Sequence, residues 1–326
     1  MYSVTSCTDQ SVWDTYVIDH GGHPLQLWGW GEVKAAHNWR VERVFVGDGT
    51  PIGAAQLLIR PVPAPLKSLV YIPRGPVCKE AGEHTGEILE ALADYAKRQY
   101  GAILLTIEPH WRQWPQLTGW HRSSNTILIP RTLILDLTHT EDELQAAMAK
   151  KTRQYIRKSA KEGIELSRVT THEQLADCLA IYRETAERAG FPLHDDQYYY
   201  DIFDKLGDHS PVFIASEAGK PVVFLWLAIS GDIAFELYGG MNDRGQQLRA
   251  NYALKWHVIS TMKKWGIREY DMNGLLNDGV STFKQGFADH EDLLVGTYDK
   301  PLSPLYWVWA VGLPYAKKLL RAIKRR

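Results

Sequence analysis

Residues 39–61 read WRVERVFVGDGTPIGAAQLLIRP, and residues 210–230 read SPVFIASEAGKPVVFLWLAIS. In the first, Val44-Phe45-Val46 and Ala54–Ile59 flank an Asp48-Gly49-Thr50-Pro51 turn. In the second, Val212-Phe213-Ile214 and Val222–Ile229 flank Ala218-Gly219-Lys220-Pro221. Apolar runs around such turn residues predict two β-hairpins. The segments C-terminal to the two hairpins also repeat. A short glycine-containing extended piece comes next, LVYIPRGPV (69–77) and IAFELYGGM (233–241), and then a helix with one apolar face, 86–101 and 250–266. Gly101 and Gly266 stand where a helix stops, and each leads into a strand that ends on an acid, Glu108 and Asp271. The same order at a separation of about 168 residues predicts an internal duplication, hence two α/β (α+β) domains of a length ordinary for one domain each.

The seam is expected after RTLILDL (131–137). Thr140 and Glu143 form a capping-box pattern that opens a long helix, 141–161, closing at Gly163. Its Lys150, Arg153, Arg157 and Lys161 share one face by 3–4 spacing, either as a solvated basic face or as a site for phosphates.

Composition is that of a soluble globular protein, with 45% hydrophobic and 23% charged residues. The three cysteines, Cys7, Cys78 and Cys178, have no metal spacing, and reduced thiols in a cytoplasmic protein are expected. No export signal is visible at the N-terminus. The net charge of −1 conceals an asymmetry: KKLLRAIKRR (317–326) holds six cations, and the rest has 31 basic against 38 acidic residues. The preceding PLYWVWAVGLPYA (304–316) is aromatic and too short to span a bilayer, which needs about 20 apolar residues. Residues 304–326 are read as a peripheral contact with an anionic membrane, the alternative being a helix packed on the core.

Several chemistries are excluded. The chain has no Gly-x-Ser-x-Gly elbow, no Walker loop and no His-Glu-x-x-His pair, and its twelve histidines fall singly. Neither a metal nor a cofactor is expected. The element order resembles the acetyltransferase (GNAT-type) fold, which seats coenzyme A on a glycine loop before the central helix. Here the matching place reads Gln246-Gln247-Leu248-Arg249-Ala250-Asn251, and Arg249 stands where the glycine is required. The fold thus points to acyl transfer and the loop away from coenzyme A.

Five stretches, LQLWGWGEVKAAHNW (25–39), YIPRGPV (71–77), KKTRQYIRKSAKEGI (150–164), ELYGGMND (236–243) and FKQGFAD (283–289), resemble the Fem family of non-ribosomal peptidyl transferases. That resemblance runs through nearly the whole chain and implies two tandem acetyltransferase-like domains. The first is expected at 1–135 plus 302–326 and binds the precursor; the second is 136–301. Only about twenty polar residues stand where some members carry a coiled-coil arm, which implies the short, armless type. The implied reaction is aminolysis of an aminoacyl ester on tRNA by an amine of a peptidoglycan precursor, lipid-linked or nucleotide-linked. The implied enzyme is a monomer on the cytoplasmic membrane face.

The resemblance also implies site residues. Lys284, between Phe283 and Phe287, matches a lysine placed where donor and acceptor meet, and Phe283 goes with it. The alternative for Lys284 is a side chain directed to water while the two rings pack inward. Tyr238 matches a cleft tyrosine, and Lys34, with Trp28 and Arg74 in the neighbouring matched stretches, is expected to bind precursor. An expected phosphate-binding arginine is replaced by His194, four residues before Tyr198, unless Arg188 takes that role. Glu108, Asp271 or a substrate carboxylate is left as proton acceptor. An acyl-CoA-dependent N-acyltransferase and a non-catalytic module that holds precursor or tRNA are the rival readings, and the amino acid transferred is not legible.

Overall fold

Both quoted stretches fold as hairpins in a computed structural model that describes residues 2–64, 66–80, 82–276, 279–310 and 312. The chain begins with β1 (Val4–Ser6), α1 (Gln10–Asp19) and α2 (Trp28–Ala36). The first hairpin is β2 (Arg40–Val46) and β3 (Gly53–Pro61), followed by β4 (Ser68–Pro73), α3 (Thr85–Tyr100), β5 (Ala102–Glu108) and a short β6 (His121–Arg122). Then come β7 (Arg131–Thr132), β8 (Ile134–Asp136), α4 (Glu141–Ala147), α5 (Lys150–Ser159) and β9 (Glu165–Arg168). Helices α6 (His172–Ala189) and α7 (Asp196–Leu206) precede the second hairpin, β10 (Val212–Glu217) and β11 (Lys220–Ser230). The repeat is completed by β12 (Ile233–Met241), α8 (Asp243–Leu248), α9 (Ala250–Lys264) and β13 (Glu269–Asp271). Helix α10 (Gly279–Gln285), β14 (Asp292–Leu293) and β15 (Tyr298–Pro301) complete the order.

The chain divides into two units. Of the described residues, one takes those up to His20, Lys34–Pro130 and those from Leu294; the other takes Gly21–Val33 and Arg131–Leu293. The seams expected from sequence, 135/136 and 301/302, are displaced. The second unit is closed around its own ends because β7 and β14 pair with each other. Residues 21–33 also belong to the second unit, where Gly29 lies so close to the Lys205 carbonyl that a Cβ would stand 2.3 Å from its oxygen.

In the first unit the sheet order is β1-β2-β3-β4-β5-β15-β6, with β4 and β5 parallel as far as Pro73 and Glu108. Helix α3 covers one face with Ile88, Leu89, Leu92 and Ala96, the 3–4 pattern visible in the sequence. Gly101 ends it at φ +58, a conformation that spares glycine the Cβ clash. In the second unit the order is β8-β13-β12-β11-β10-β9, and α9 supplies Leu254, Val258 and Met262 to the core. The two-residue turn of its hairpin is left-handed at both Ala218 and Gly219, which suits the right-handed twist of the strands.

The long helix expected over 141–161 is two helices. The capping box of Thr140 and Glu143 opens α4 as expected, but Met148 and Ala149 are extended. Two sets of contacts stabilise the break. The Ala149 amide donates to the Gly286 carbonyl at 3.0 Å, and the Arg153 guanidinium donates to the carbonyls of Gln145, Ala146 and Met148, the open end of α4. Arg153 is thereby removed from the basic face.

At the C-terminal side Tyr306 packs on Ile103 and Leu104, while Trp307 and Val308 are exposed. The basic residues 317–326 lie outside the described residues. No helix among the described residues is long and apolar enough to cross a membrane.

The motif glycine of residues 283–287 has a steric reason: a Cβ on Gly286 would stand 2.3 Å from Thr152 Oγ1. Gly286→Ala is therefore expected to lower the urea midpoint by an amount equivalent to about 1–3 kcal/mol. Thr152→Ala in the same chain should recover most of that loss. A Gly286→Ala protein as stable as the parent contradicts the packing described.

Candidate active site

In the second unit β12 and β13 pair for three residues only, Ile233 with Glu269, Ala234 with Tyr270 and Phe235 with Asp271. Beyond them the strands part, and the residues of the parting carry the charge of the site. Glu236, 5% exposed on β12, forms an ion pair with Lys255 of α9, also buried. The Tyr270 hydroxyl donates to the same carboxylate oxygen at 2.7 Å. Burial pulls the Lys255 ammonium down, its Glu236 partner opposes that shift, and the charge of Lys284 adds to it.

Asn273, just past β13, bridges the parting. Its backbone is left-handed at φ +59, its side-chain Nδ2 donates to the Glu236 carbonyl at 2.9 Å, and its amide donates to Asp271 Oδ1 at 2.7 Å. The turn aims two carbonyls at α10. Lys284 Nζ donates to the oxygens of Asn273 at 3.1 Å and Gly274 at 3.3 Å. A Lys284 side chain directed to water is therefore not what the structure shows, since two of its three donors are taken by main chain. No carboxylate among the described residues pairs with it, so its positive charge is positioned but not neutralised. Phe283 is half-buried, edge-on to Tyr252 at 4.9 Å and to Phe287 at 5.2 Å, with Lys255 Nζ 5.7 Å from its ring centre.

Tyr238, two residues beyond Glu236, lies in an aromatic cluster. Its ring centre is 5.6 Å from Tyr182, 5.3 Å from Tyr199 and 5.8 Å from Trp226. Burial and these neighbouring phenols push its hydroxyl well above the usual range, so it acts as a neutral donor rather than a phenolate. Tyr198 reaches the Tyr238 hydroxyl and is itself pushed up to about 12, chiefly by burial. His194 stacks on Tyr198 with ring centres 4.0 Å apart. Arg188 donates to the Met241 carbonyl at 2.8 Å and lies 3.6 Å from Asp243, at the far end of the strand that carries Tyr238. The structure thus brings Tyr238, Tyr198 and His194 into one cluster. Trp28 opens α2 within this unit.

Three of the expected residues lie in the first unit. Glu108, 1% exposed, accepts from the hydroxyls of Tyr71 and Thr297 and from the amides of Ile127 and Leu128 at 2.8 and 3.0 Å. A carboxylate with its lone pairs so occupied is a clamp for β5 and its neighbours, which argues against the role of proton acceptor. Arg74, buried at 3% in a left-handed turn after β4, partly offsets the upward shift that burial and Glu108 impose on Tyr71. Lys34, near the end of α2, is half-buried, and burial pulls its ammonium down to about 8.

Asp271 has one oxygen bonded to Thr132 and Asn273, while its other oxygen has no hydrogen-bond partner among the described residues. Glu236, Lys255 and Asn273 are not marked as site residues by sequence reasoning. The Asp-x-Asn-Gly turn at 271–274 is a usable signal, since Asn before Gly favours left-handed backbone; nothing local marks the other two.

Comparison with known proteins bears on the family and the fold. A model of the FemAB family matches residues 8–118, 114–218 and 224–312. A lipid II:glycine glycyltransferase of Staphylococcus epidermidis is 30% identical over an alignment of 406 residues that covers 96% of each chain. Its counterpart in Staphylococcus aureus is 31% identical over 213 residues, 59% of this chain and 50% of that one. In fold, the chain is similar to the crystal structure of FemX, with a TM-score of 0.82 at 21% identity, covering 94% of this chain and all of that one. A tandem GNAT protein from the clavulanic acid biosynthesis pathway has a TM-score of 0.56 at 11% identity, covering 93% and 99%.

Lys34 offers a direct check on the electrostatics. In competitive acetylation across pH 6–11, read by mass spectrometry, its reactivity should rise with a midpoint near 8. A midpoint at the ordinary lysine value of 10.5 contradicts the burial.

Proposed function

This chain belongs to the FemAB family and is a transferase with two acetyltransferase-like halves; from that premise we propose that it moves an amino acid from aminoacyl-tRNA to an amine of a peptidoglycan-precursor stem peptide. The relatives' names make glycine and a lipid II acceptor the first pair to test. The observation that carries the reading is the Lys284 ammonium, fixed by two main-chain carbonyls and left without an acid partner among the described residues.

The acceptor's amine nitrogen attacks the ester carbonyl carbon. A C–N bond forms, and the carbonyl oxygen takes up negative charge. Collapse of the tetrahedral intermediate then breaks the bond to the ribose oxygen, which leaves with a proton while the amine gives one up. A cation already in place when the oxyanion forms stabilises that intermediate more than the substrate, which is the condition for acceleration. Tyr238, held neutral, can donate a hydrogen bond to the same charge. Of the protein's candidates for the proton, buried Asp271 has one oxygen without a hydrogen-bond partner among the described residues, whereas both oxygens of Glu108 accept hydrogen bonds. Lys34 and Arg74 are assigned to the acceptor's phosphates, with Trp28, Arg188, His194, Tyr198 and Phe283 shaping the substrate pockets. Exposed Trp307 and Val308, with the basic segment that comes after them in the sequence, supply contact with an anionic membrane.

Coenzyme A as donor is disfavoured by Arg249, which sits at φ +54 before α9 and stacks on Tyr155 where an open glycine loop would receive a pyrophosphate. Calorimetric titration with acetyl-CoA should show no binding.

Lys284→Ala is expected to keep the parent's circular dichroism and unfolding midpoint while lowering turnover by about 10²-fold or more. Near-normal turnover in the folded variant removes Lys284 from the reaction.

A further inference from the structure

The chain is acidic apart from its last ten residues, yet α5 and the turn after it hold Lys150, Lys151, Arg157, Lys158 and Lys161, all exposed. Thr152, Ile156 and Ser159 face inward, so these cations occupy the outer side of the helix. None of the five pairs with a carboxylate among the described residues. A basic helix face that merely keeps a protein in solution is usually interleaved with acids. This one is not.

The outer side of α5 continues into an aromatic track. Lys151 Nζ lies 5.6 Å from the Tyr155 ring centre, and the Arg249 guanidinium stacks over the same ring at 4.1 Å. Tyr155 meets Tyr252 edge-on at 5.0 Å, and Tyr252 meets Phe283 at 4.9 Å, one residue from Lys284. Cations that track a phosphate backbone, then flat rings and an arginine plane on which bases can stack, are the two parts of a single-stranded nucleic-acid site. An anionic membrane calls for the cations but not for a stacking track that ends beside a buried ion pair.

We propose that the outer face of α5 binds the phosphates of the donor RNA, and that Tyr155, Arg249 and Tyr252 receive its unpaired 3′ end and lead it to Lys284. This rests on the reading that the donor is aminoacyl-tRNA. It adds the surface that holds the donor and the direction of entry.

The test uses the full chain and an RNA hairpin with a single-stranded four-nucleotide 3′ tail, with binding read by fluorescence anisotropy from 50 to 200 mM salt. Lys151→Glu/Arg157→Glu/Lys158→Glu should weaken binding by tenfold or more and reduce the slope of log K against log salt by about two to three. Arg249→Ala should shrink the advantage of the tailed hairpin over a blunt one. Unchanged RNA affinity in the triple variant overturns the proposal, as does a triple variant that loses binding only to vesicles containing phosphatidylglycerol. The two readings fail separately. If the parent transfers from aminoacyl-tRNA and the triple variant does so with an unchanged KM, this surface is wrong and the reaction stands. If the parent binds the hairpin through α5 but transfers nothing, the surface stands and the reaction is wrong.

Discussion

A buried ion pair at the parting of two strands fixes the site of the second unit. Glu236 and Lys255 are both almost fully removed from water, a costly state for two charges unless they meet each other and further donors. They do so because Tyr270 shares the carboxylate and Asn273 holds the adjacent main chain. Removing either partner would leave the other charged and buried, a loss of about 3–5 kcal/mol. The pair also lies beneath Phe283, so the ring that frames Lys284 rests on a fixed cation.

Two lysines lie close together here with opposite fates. Lys255 is neutralised by Glu236 and is structural. Among the described residues Lys284 meets no carboxylate and two carbonyl dipoles, which orient it without cancelling its charge. The two duplicated halves diverge at this place. Pairing runs to the equivalent acid in both units, Glu108 and Asp271, but the Glu108 carboxylate is filled with donors, while one Asp271 oxygen has no hydrogen-bond partner among the described residues.

The features legible in the sequence obey local rules. Hairpins announce themselves by alternation and turn residues, and Gly101 and Gly266 lie at φ +58 and +87, where the chain demands glycine. The capping box at Thr140 is likewise local. The break at Met148-Ala149 is not legible, since a carbonyl from Gly286 and the Arg153 side chain decide it. The network of residues 236, 255, 270, 273 and 284 is hidden for the same reason, because its members meet only after β12, α9 and β13 are packed. Arg153 belongs to the basic face by spacing, yet in the structure it is bonded to the end of α4. Its departure leaves a cleaner basic face than spacing alone suggests.

The central claim is that an aminoacyl ester on RNA is the acyl donor. The most direct measurement incubates the protein with lipid-linked precursor and a mixture of charged tRNAs and weighs the precursor by mass spectrometry. The account predicts a gain equal to one amino-acid residue, abolished when the charged tRNA is digested beforehand. An unchanged precursor, or a gain that survives digestion and requires an acyl thioester, contradicts it.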